Sequence, residues 1–249
     1  MDGLSAKKPA KIKIDAFDLA PGRKIAGKYQ VIAKLGWGWE GEVYKVREDL
    51  TGIERAAKLF YPQRNIGNKA SRLYAQKLHK IRHCALFIQY HTKEVILYRK
   101  IPVIVLISEY VEGELLSAFL KKFPGKRLTP YQAVHLLYSL AKGIEDMHLY
   151  NEYHGDLHSD NIIVNRFGLE FDLKILDFLH WHGTRRQNMR EDVCGLIQIF
   201  HECMGGPRHY AKLPAVVKEI CCGLKRSLII KKFRTATHLR EYLEDLKWF

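Results

Sequence analysis

The stretch His154-Gly155-Asp156-Leu157-His158-Ser159-Asp160-Asn161, followed further on by Asp177-Phe178, sets the terms for reading this chain. An aspartate early in a loop can accept the proton of an attacking hydroxyl. An asparagine later in the same loop and a second aspartate beyond it supply oxygen ligands for a hard divalent cation next to phosphate groups. An isolated His-x-Asp triplet is common in proteins, so the reading depends on what lies upstream.

Upstream, Gly36-Trp37-Gly38-Trp39-Glu40-Gly41-Glu42-Val43 is a glycine-rich turn between two apolar runs, Tyr29–Ala33 and Val43–Val46. These read as the strands of a hairpin. No helical period follows, which argues against a dinucleotide fingerprint. Glycines are expected there because the backbone must approach phosphates closely and adopt angles closed to other residues. Ala56-Ala57-Lys58-Leu59-Phe60 then places a lysine in an apolar strand. Glycine loop, strand lysine, His-x-Asp loop and Asp-Phe pair stand in a fixed order, and together they are far more specific than any one of them.

That order resembles the protein kinase superfamily, in the form of an atypical bacterial Ser/Thr or dual-specificity kinase, from Gly27 to the C-terminus. The resemblance implies an α+β, bilobal fold with a β-rich small lobe (27–109), a hinge (110–113) and a mainly α-helical large lobe (114–249). Residues 1–26 are expected to be a basic extension, weakly ordered over most of its length. ATP and Mg2+, or Mn2+ in its place, are the implied cofactors. Lys58 would orient the phosphates under the amides of Gly36, Gly38 and Gly41. Val43, Ala56 and Ile163 are assigned to the nucleotide, together with the backbone of Glu109 and Val111, with Ser108 at the back of the pocket. Asp156 would take the proton, Asn161 and Asp177 would hold the metal, and His158 would face the transferred phosphate. Asp192 is expected to brace the loop and His154 to pack beneath Phe178.

Other segments carry structure. Thr129, Pro130 and Gln132 form a capping box opening a helix. Ala133, Leu136, Leu137, Leu140, Ile144 and Met147 recur along that helix as a core stripe. Ala236, Leu239, Tyr242, Leu243 and Leu246 read as a terminal amphipathic helix.

The departures from the family pattern are local. No acidic residue lies between Glu54 and Glu94, and Tyr74 stands near the position of the usual helix glutamate. Lys58 therefore needs another partner, with Asp177, Gln76 and Glu40 as candidates. Glu40 is expected to compensate in part and Glu42 to matter less. Gly155 replaces an arginine that reads activation-loop phosphate in many relatives, and Leu179 replaces the glycine of Asp-Phe-Gly. The segment between Asp177 and Asp192 is short. It contains His180, Trp181, His182, Thr184, Arg185, Arg186 and Arg190, and lacks a peptide-docking motif.

Three functions compete. One is a protein kinase acting on Ser/Thr, or Tyr, and on itself. The second is a small-molecule or lipopolysaccharide-sugar kinase, which the His-Gly-Asp-Leu-His form resembles. The third is a nucleotide-binding pseudokinase. The 249 residues, 47% of them apolar, suit one catalytic domain, and no run is long enough to span a membrane. Five cysteines without ligand spacing read as reduced thiols. Together with an N-terminal stretch without an apolar run they suit a reducing compartment, and the expectation is a cytoplasmic protein or an effector exported by another route. The net charge of +14 favours anionic partners, an acidic protein before nucleic acid. Lys69, Arg72, Lys77, Lys80 and Arg82 are read as a solvated helix face.

Overall fold

The computed structural model describes residues 13–167, 170–178 and 183–247. It divides into two compact units: the described residues up to Gln76 with Gln89–Tyr110, and Lys77–Ile88 with residues from Val111 onward. Leu179, His180, Trp181, His182 and the basic positions Lys7, Lys8 and Lys11 lie outside the described residues.

The first unit is an antiparallel sheet of β1 (Lys24–Ile25), β2 (Tyr29–Trp37), β3 (Gly41–Glu48), β4 (Glu54–Phe60), β5 (Tyr90–Tyr98) and β6 (Ile101–Glu109), in the order β1-β2-β3-β4-β6-β5. The glycine turn joins β2 to β3, and both strands run longer than their apolar cores suggested. β6 is buried on both faces from Val103 to Ser108, as its unbroken apolar run requires, whereas β5 alternates exposed and half-buried positions along the edge. Register sets the two faces of the sheet. Val43, Lys58 and Leu106 share one with Lys45, Ala56 and Ser108, while Tyr44, Val46, Ala57, Leu59, Val105 and Ile107 share the other.

The second face is covered by residues 14–25, which corrects the expectation of a weakly ordered extension there. Ile14, Phe17, Leu19 and Ile25 are buried in one cluster with Tyr44, Leu59, Tyr61 and Tyr98. The Phe17 ring stacks on Tyr61 at 5.3 Å and meets Tyr98 edge-on at 5.2 Å. The polar anchor is Glu42, only 1% exposed. Its carboxylate accepts hydrogen bonds from the Phe17 N–H (3.1 Å), the Tyr61 hydroxyl (3.1 Å) and the Tyr44 hydroxyl, and pairs with Lys34 at 3.1 Å. The Tyr44 oxygen in turn accepts from the Leu19 N–H. Sequence periodicity misses this strap because its apolar residues are spaced irregularly among polar ones and are read only by the sheet beneath them.

The second unit holds α2 (Leu116–Lys121), α3 (Pro130–Leu149), α4 (Arg185–Cys203), α5 (Pro207–Tyr210), α6 (Ala215–Cys221), α7 (Arg226–Lys232) and α8 (Ala236–Glu244). It also holds a small sheet of β7 (Glu114–Leu115), β8 (Ile162–Phe167) and β9 (Glu170–Ile175). Helix α1 (Lys69–Lys80) begins in the first unit and ends in the second. Thr129 and Gln132 form the expected capping box, and the α3 stripe from Ala133 to Met147 is buried against α4 and α8. Gly143 lets Leu86 seat on α3, since a Cβ there would fall 2.1 Å from Leu86 Cδ2. Four cysteines are buried and all five are free; burial pushes the Cys84 and Cys194 thiols up to about 11, which keeps them protonated. Among the described residues no helix is long and apolar enough to cross a membrane.

Burial pushes the Glu42 carboxyl up, but the Tyr44 hydroxyl, Lys34 and the Phe17 N–H outweigh it and hold the group below its ordinary value near 4.5. Its contribution is therefore complete above that value and lost as pH falls through the lower, folded-state pKa. Glu42→Gln is expected to cost about 2 kcal/mol or more at neutral pH, because an amide nitrogen would face the donors that now point at a carboxylate. Urea denaturation, with amide exchange of residues 14–25, reads this out; unchanged stability and protection would mean that the strap is held by its apolar side chains alone.

Candidate active site

In the first unit, β3 and β4 set Val43 opposite Lys58, and β4 and β6 set Ala56 opposite Ser108. Lys58 Nζ pairs with Glu40 Oε2 at 3.2 Å and lies 4.4 Å from the centre of the Tyr74 ring. Among the three candidate partners, Glu40 thus pairs with Lys58 within this unit, and the tyrosine at the helix position takes the ammonium on its π face. Glu42, expected to matter less, is instead a buried structural anchor.

The three loop glycines do different jobs. None has a positive φ, which corrects the expectation that unusual backbone angles require them. A Cβ at Gly36 or Gly38 would meet nothing within 4 Å, leaving open space above the turn. At Gly41 it would lie 1.9 Å from the Leu59 carbonyl oxygen, so this glycine is demanded by strand pairing. The Gly38 N–H donates to the Gly41 carbonyl at 2.9 Å and closes the turn, so it is not offered to phosphate in this arrangement. The Glu109 N–H is similarly taken by the Gln89 carbonyl.

In the second unit, Asp192 on α4 organises the catalytic loop. Its two carboxylate oxygens accept the His154 N–H (2.7 Å) and the Gly155 N–H (2.8 Å), and His148 Nε2 lies 3.0 Å away. Gly155 has φ +85°, a backbone state that an arginine would adopt only with strain. Gly195 brings α4 close, since a Cβ there would press on the Leu157 carbonyl at 3.0 Å. His154 is fully buried, with its ring 5.3 Å from that of Phe178. Its Nε2–H donates to the Leu176 carbonyl and its Nδ1 accepts from the Asp156 N–H. Burial pushes the imidazole down, and with both nitrogens engaged it is a neutral scaffold.

Asn161 donates from Nδ2 to the Asp156 carbonyl at 2.8 Å, which commits its nitrogen to the loop and leaves its oxygen for a cation. Asp156 keeps its side chain 40% exposed, with His158 Nε2 at 3.6 Å. His158 also contacts the Asp160 N–H through Nδ1 and Asn161 Nδ2 through Nε2. A neutral imidazole accepts at one nitrogen only, so only one of these contacts can be a hydrogen bond at a time. Asp177 has φ +46°, in the left-handed region, where strained functional residues collect. Ile163 lies opposite Leu115, and Gly113 is required beside it because a Cβ there would meet Ile163 Cγ2 at 2.8 Å. Thr184 does not stand open as an acceptor hydroxyl: it caps α4, its hydroxyl accepting from the Gln187 N–H. Residues 29–198, more than half of the chain, match the family model described as the protein kinase domain.

The chain belongs to the protein kinase family. A probable cyclin-dependent serine/threonine-protein kinase of Dictyostelium discoideum is 25% identical over 84% of this chain and 15% of its own length. A probable serine/threonine-protein kinase of Streptomyces coelicolor is 28% identical over 63% of this chain and 23% of its own. The serine/threonine-protein kinase PrkC of Bacillus subtilis is 24% identical over the same shares. The kinase chain thus spans less than a quarter of each of these relatives. The crystal structure of the Mycobacterium tuberculosis PknI kinase domain superposes with a TM-score of 0.62 at 18% identity, covering 91% of this chain and 96% of that one, and supports the fold.

Lys77, expected on a solvated helix face, is instead buried. It is 3% exposed, and its Nζ has no hydrogen-bond partner among the described residues. It rests 4.5 Å from the centre of the Tyr153 ring and 4.9 Å from that of Phe178. The signal was available: Tyr74, Lys77, Leu78 and Ile81 fall on one helical stripe, and the lysine occupies an apolar position in it. Burial pushes its ammonium down to about 8, against upward pulls from Glu152 and Asp192.

An unfolded lysine titrates near 10.5, so between about pH 8 and 10.5 the unfolded chain holds the extra proton. Stability tied to Lys77 therefore rises with pH across that window. Lys77→Met is expected to stabilise the protein by about 2 kcal/mol at pH 7 and to flatten the rise. Urea denaturation from pH 7 to 10 measures it, and a variant weaker than wild type at pH 7 would mean that the ring contacts outweigh desolvation.

Proposed function

We propose that this chain is an ATP- and Mg2+-dependent protein kinase that transfers the γ-phosphoryl group to Ser/Thr hydroxyls, including its own, with Tyr as a second acceptor. The observation that carries the reading is the catalytic loop itself: Asn161 fastened to the Asp156 carbonyl, and Asp192 holding the His154 and Gly155 amides, leave the Asp156 carboxylate accessible.

The residues fit the implied cofactors. The oxygens of Asn161 and Asp177 are the hard donors that Mg2+ prefers, and the open space over Gly36 and Gly38 leaves room for phosphates. When bound, the metal neutralises charge on the leaving oxygens. Lys58 orients the phosphates, and Glu40 aims Lys58 in place of the usual helix glutamate. Val43, Ala56, Ile163 and the backbone of Glu109 and Val111 line the base. Asp156 orients the acceptor hydroxyl and receives its proton, and His158 beside it donates to the phosphoryl group in flight. A cytoplasmic protein with an acidic face is the preferred substrate class for so basic a chain.

Labelled ATP and Mg2+ with purified protein test the reading. Wild type is expected to label itself and an added protein acceptor. Asp156→Ala should lower kcat by about 10³-fold or more with nucleotide affinity retained, and Lys58→Ala should weaken both. Glu40→Gln should lower kcat by roughly tenfold, the worth of one charge-assisted hydrogen bond. Turnover only with added sugars would replace this reading with the small-molecule kinase, and nucleotide binding without turnover would replace it with the pseudokinase.

A further inference from the structure

A cavity of about 430 Å³ lies within the second unit, walled by α3, α4 and the start of α8. It is lined by Arg186, Arg190, Arg234 and His238, with Glu145 and His148 on the α3 side. Both α3 groups are already engaged: Glu145 pairs with Arg240 at 2.5 Å and His148 with Asp192 at 3.0 Å. The three arginines of the wall have no acidic partner among the described residues. Elsewhere in this unit arginines do find carboxylates: Arg226 takes Glu191, although Glu191 adjoins Arg190 in sequence, and Arg240 takes Glu145 and Glu244. Arg186 and Arg190 stand one helical turn apart on α4, a like-charge pair that is mildly unfavourable by itself and that a shared anion would relieve.

We propose that this cavity binds a compact, soluble molecule carrying two or more phosphate groups. Guanidinium groups recognise phosphate through paired N–H donors. Three of them around one concavity exceed the charge of a single phosphate, which is close to −2 at neutral pH. The volume falls within the range of small-molecule sites, about 300–1,000 Å³, and is larger than one phosphate fills. None of Lys58, Asp156, Asn161 and Asp177 lines the site, and only His148 of the lining touches the loop's brace, Asp192, so the proposal does not rest on the chain being an active kinase.

Calorimetric titration of the full chain with myo-inositol hexakisphosphate tests it, beside orthophosphate and phosphoinositide vesicles. Saturable one-to-one binding is expected, retained in Lys58→Ala and in the charge-matched surface variant Lys225→Gln/Lys231→Gln. Affinity should fall at least about tenfold in Arg186→Gln/Arg190→Gln and in Arg234→Gln. Thermal melting checks each variant, and Arg234→Gln, outside any helix, decides the matter if the α4 double variant does not fold. Four results each overturn the proposal: absence of saturable binding, equal loss in the Lys225/Lys231 variant, orthophosphate bound as tightly as the polyphosphate, or binding to vesicles alone.

Discussion

The second unit turns on the carboxylate of Asp192. A buried aspartate is costly unless its oxygens are satisfied, and here two adjacent backbone amides and one imidazole satisfy them. That single side chain fixes where the loop leaves His154. The glycine at 155 then permits the turn, and Asn161 ties the far end of the loop back to the Asp156 carbonyl. Asp156 owes its accessibility to neighbours that hold the backbone around it, while the His158 imidazole stands beside its carboxylate.

The first unit solves a similar problem with Glu42. One carboxylate gathers the amide of the strap, two tyrosine hydroxyls and a lysine, and so fastens residues 14–25 over one face of the sheet. The opposite face is left to Lys58, Ala56 and Val43. Glutamates two positions apart in sequence thus serve opposite ends: Glu42, on the strand, is consumed by structure, while Glu40, at the turn, reaches Lys58. The loss of the usual helix glutamate is met by a local acid and by an aromatic ring, Tyr74, which can face a cation without itself carrying charge.

Much of this was legible in the chain. The order of glycine turn, strand lysine, His-Gly-Asp loop and Asp-Phe pair carried the family, because phosphoryl transfer needs those groups at sequence positions that the fold keeps nearly constant. The α3 stripe and its capping box were legible because helix periodicity and capping are local. The roles of individual groups were harder to read. Gly41 serves strand pairing, the Gly38 amide closes its own turn, Thr184 caps a helix, and Lys77 is buried. Each depends on an atom far away in sequence or on a hydrogen bond that composition does not encode.

The sequence by itself determined the fold class, the family and the list of groups able to do chemistry, since these follow from residue type, spacing and order. Only the tertiary structure decided that Lys58 pairs with Glu40, that residues 14–25 pack over one face of the sheet, and that three arginines share one cavity. Partner choice among charged and aromatic side chains is set by distance and desolvation, and both come into being only when segments remote along the chain are packed together.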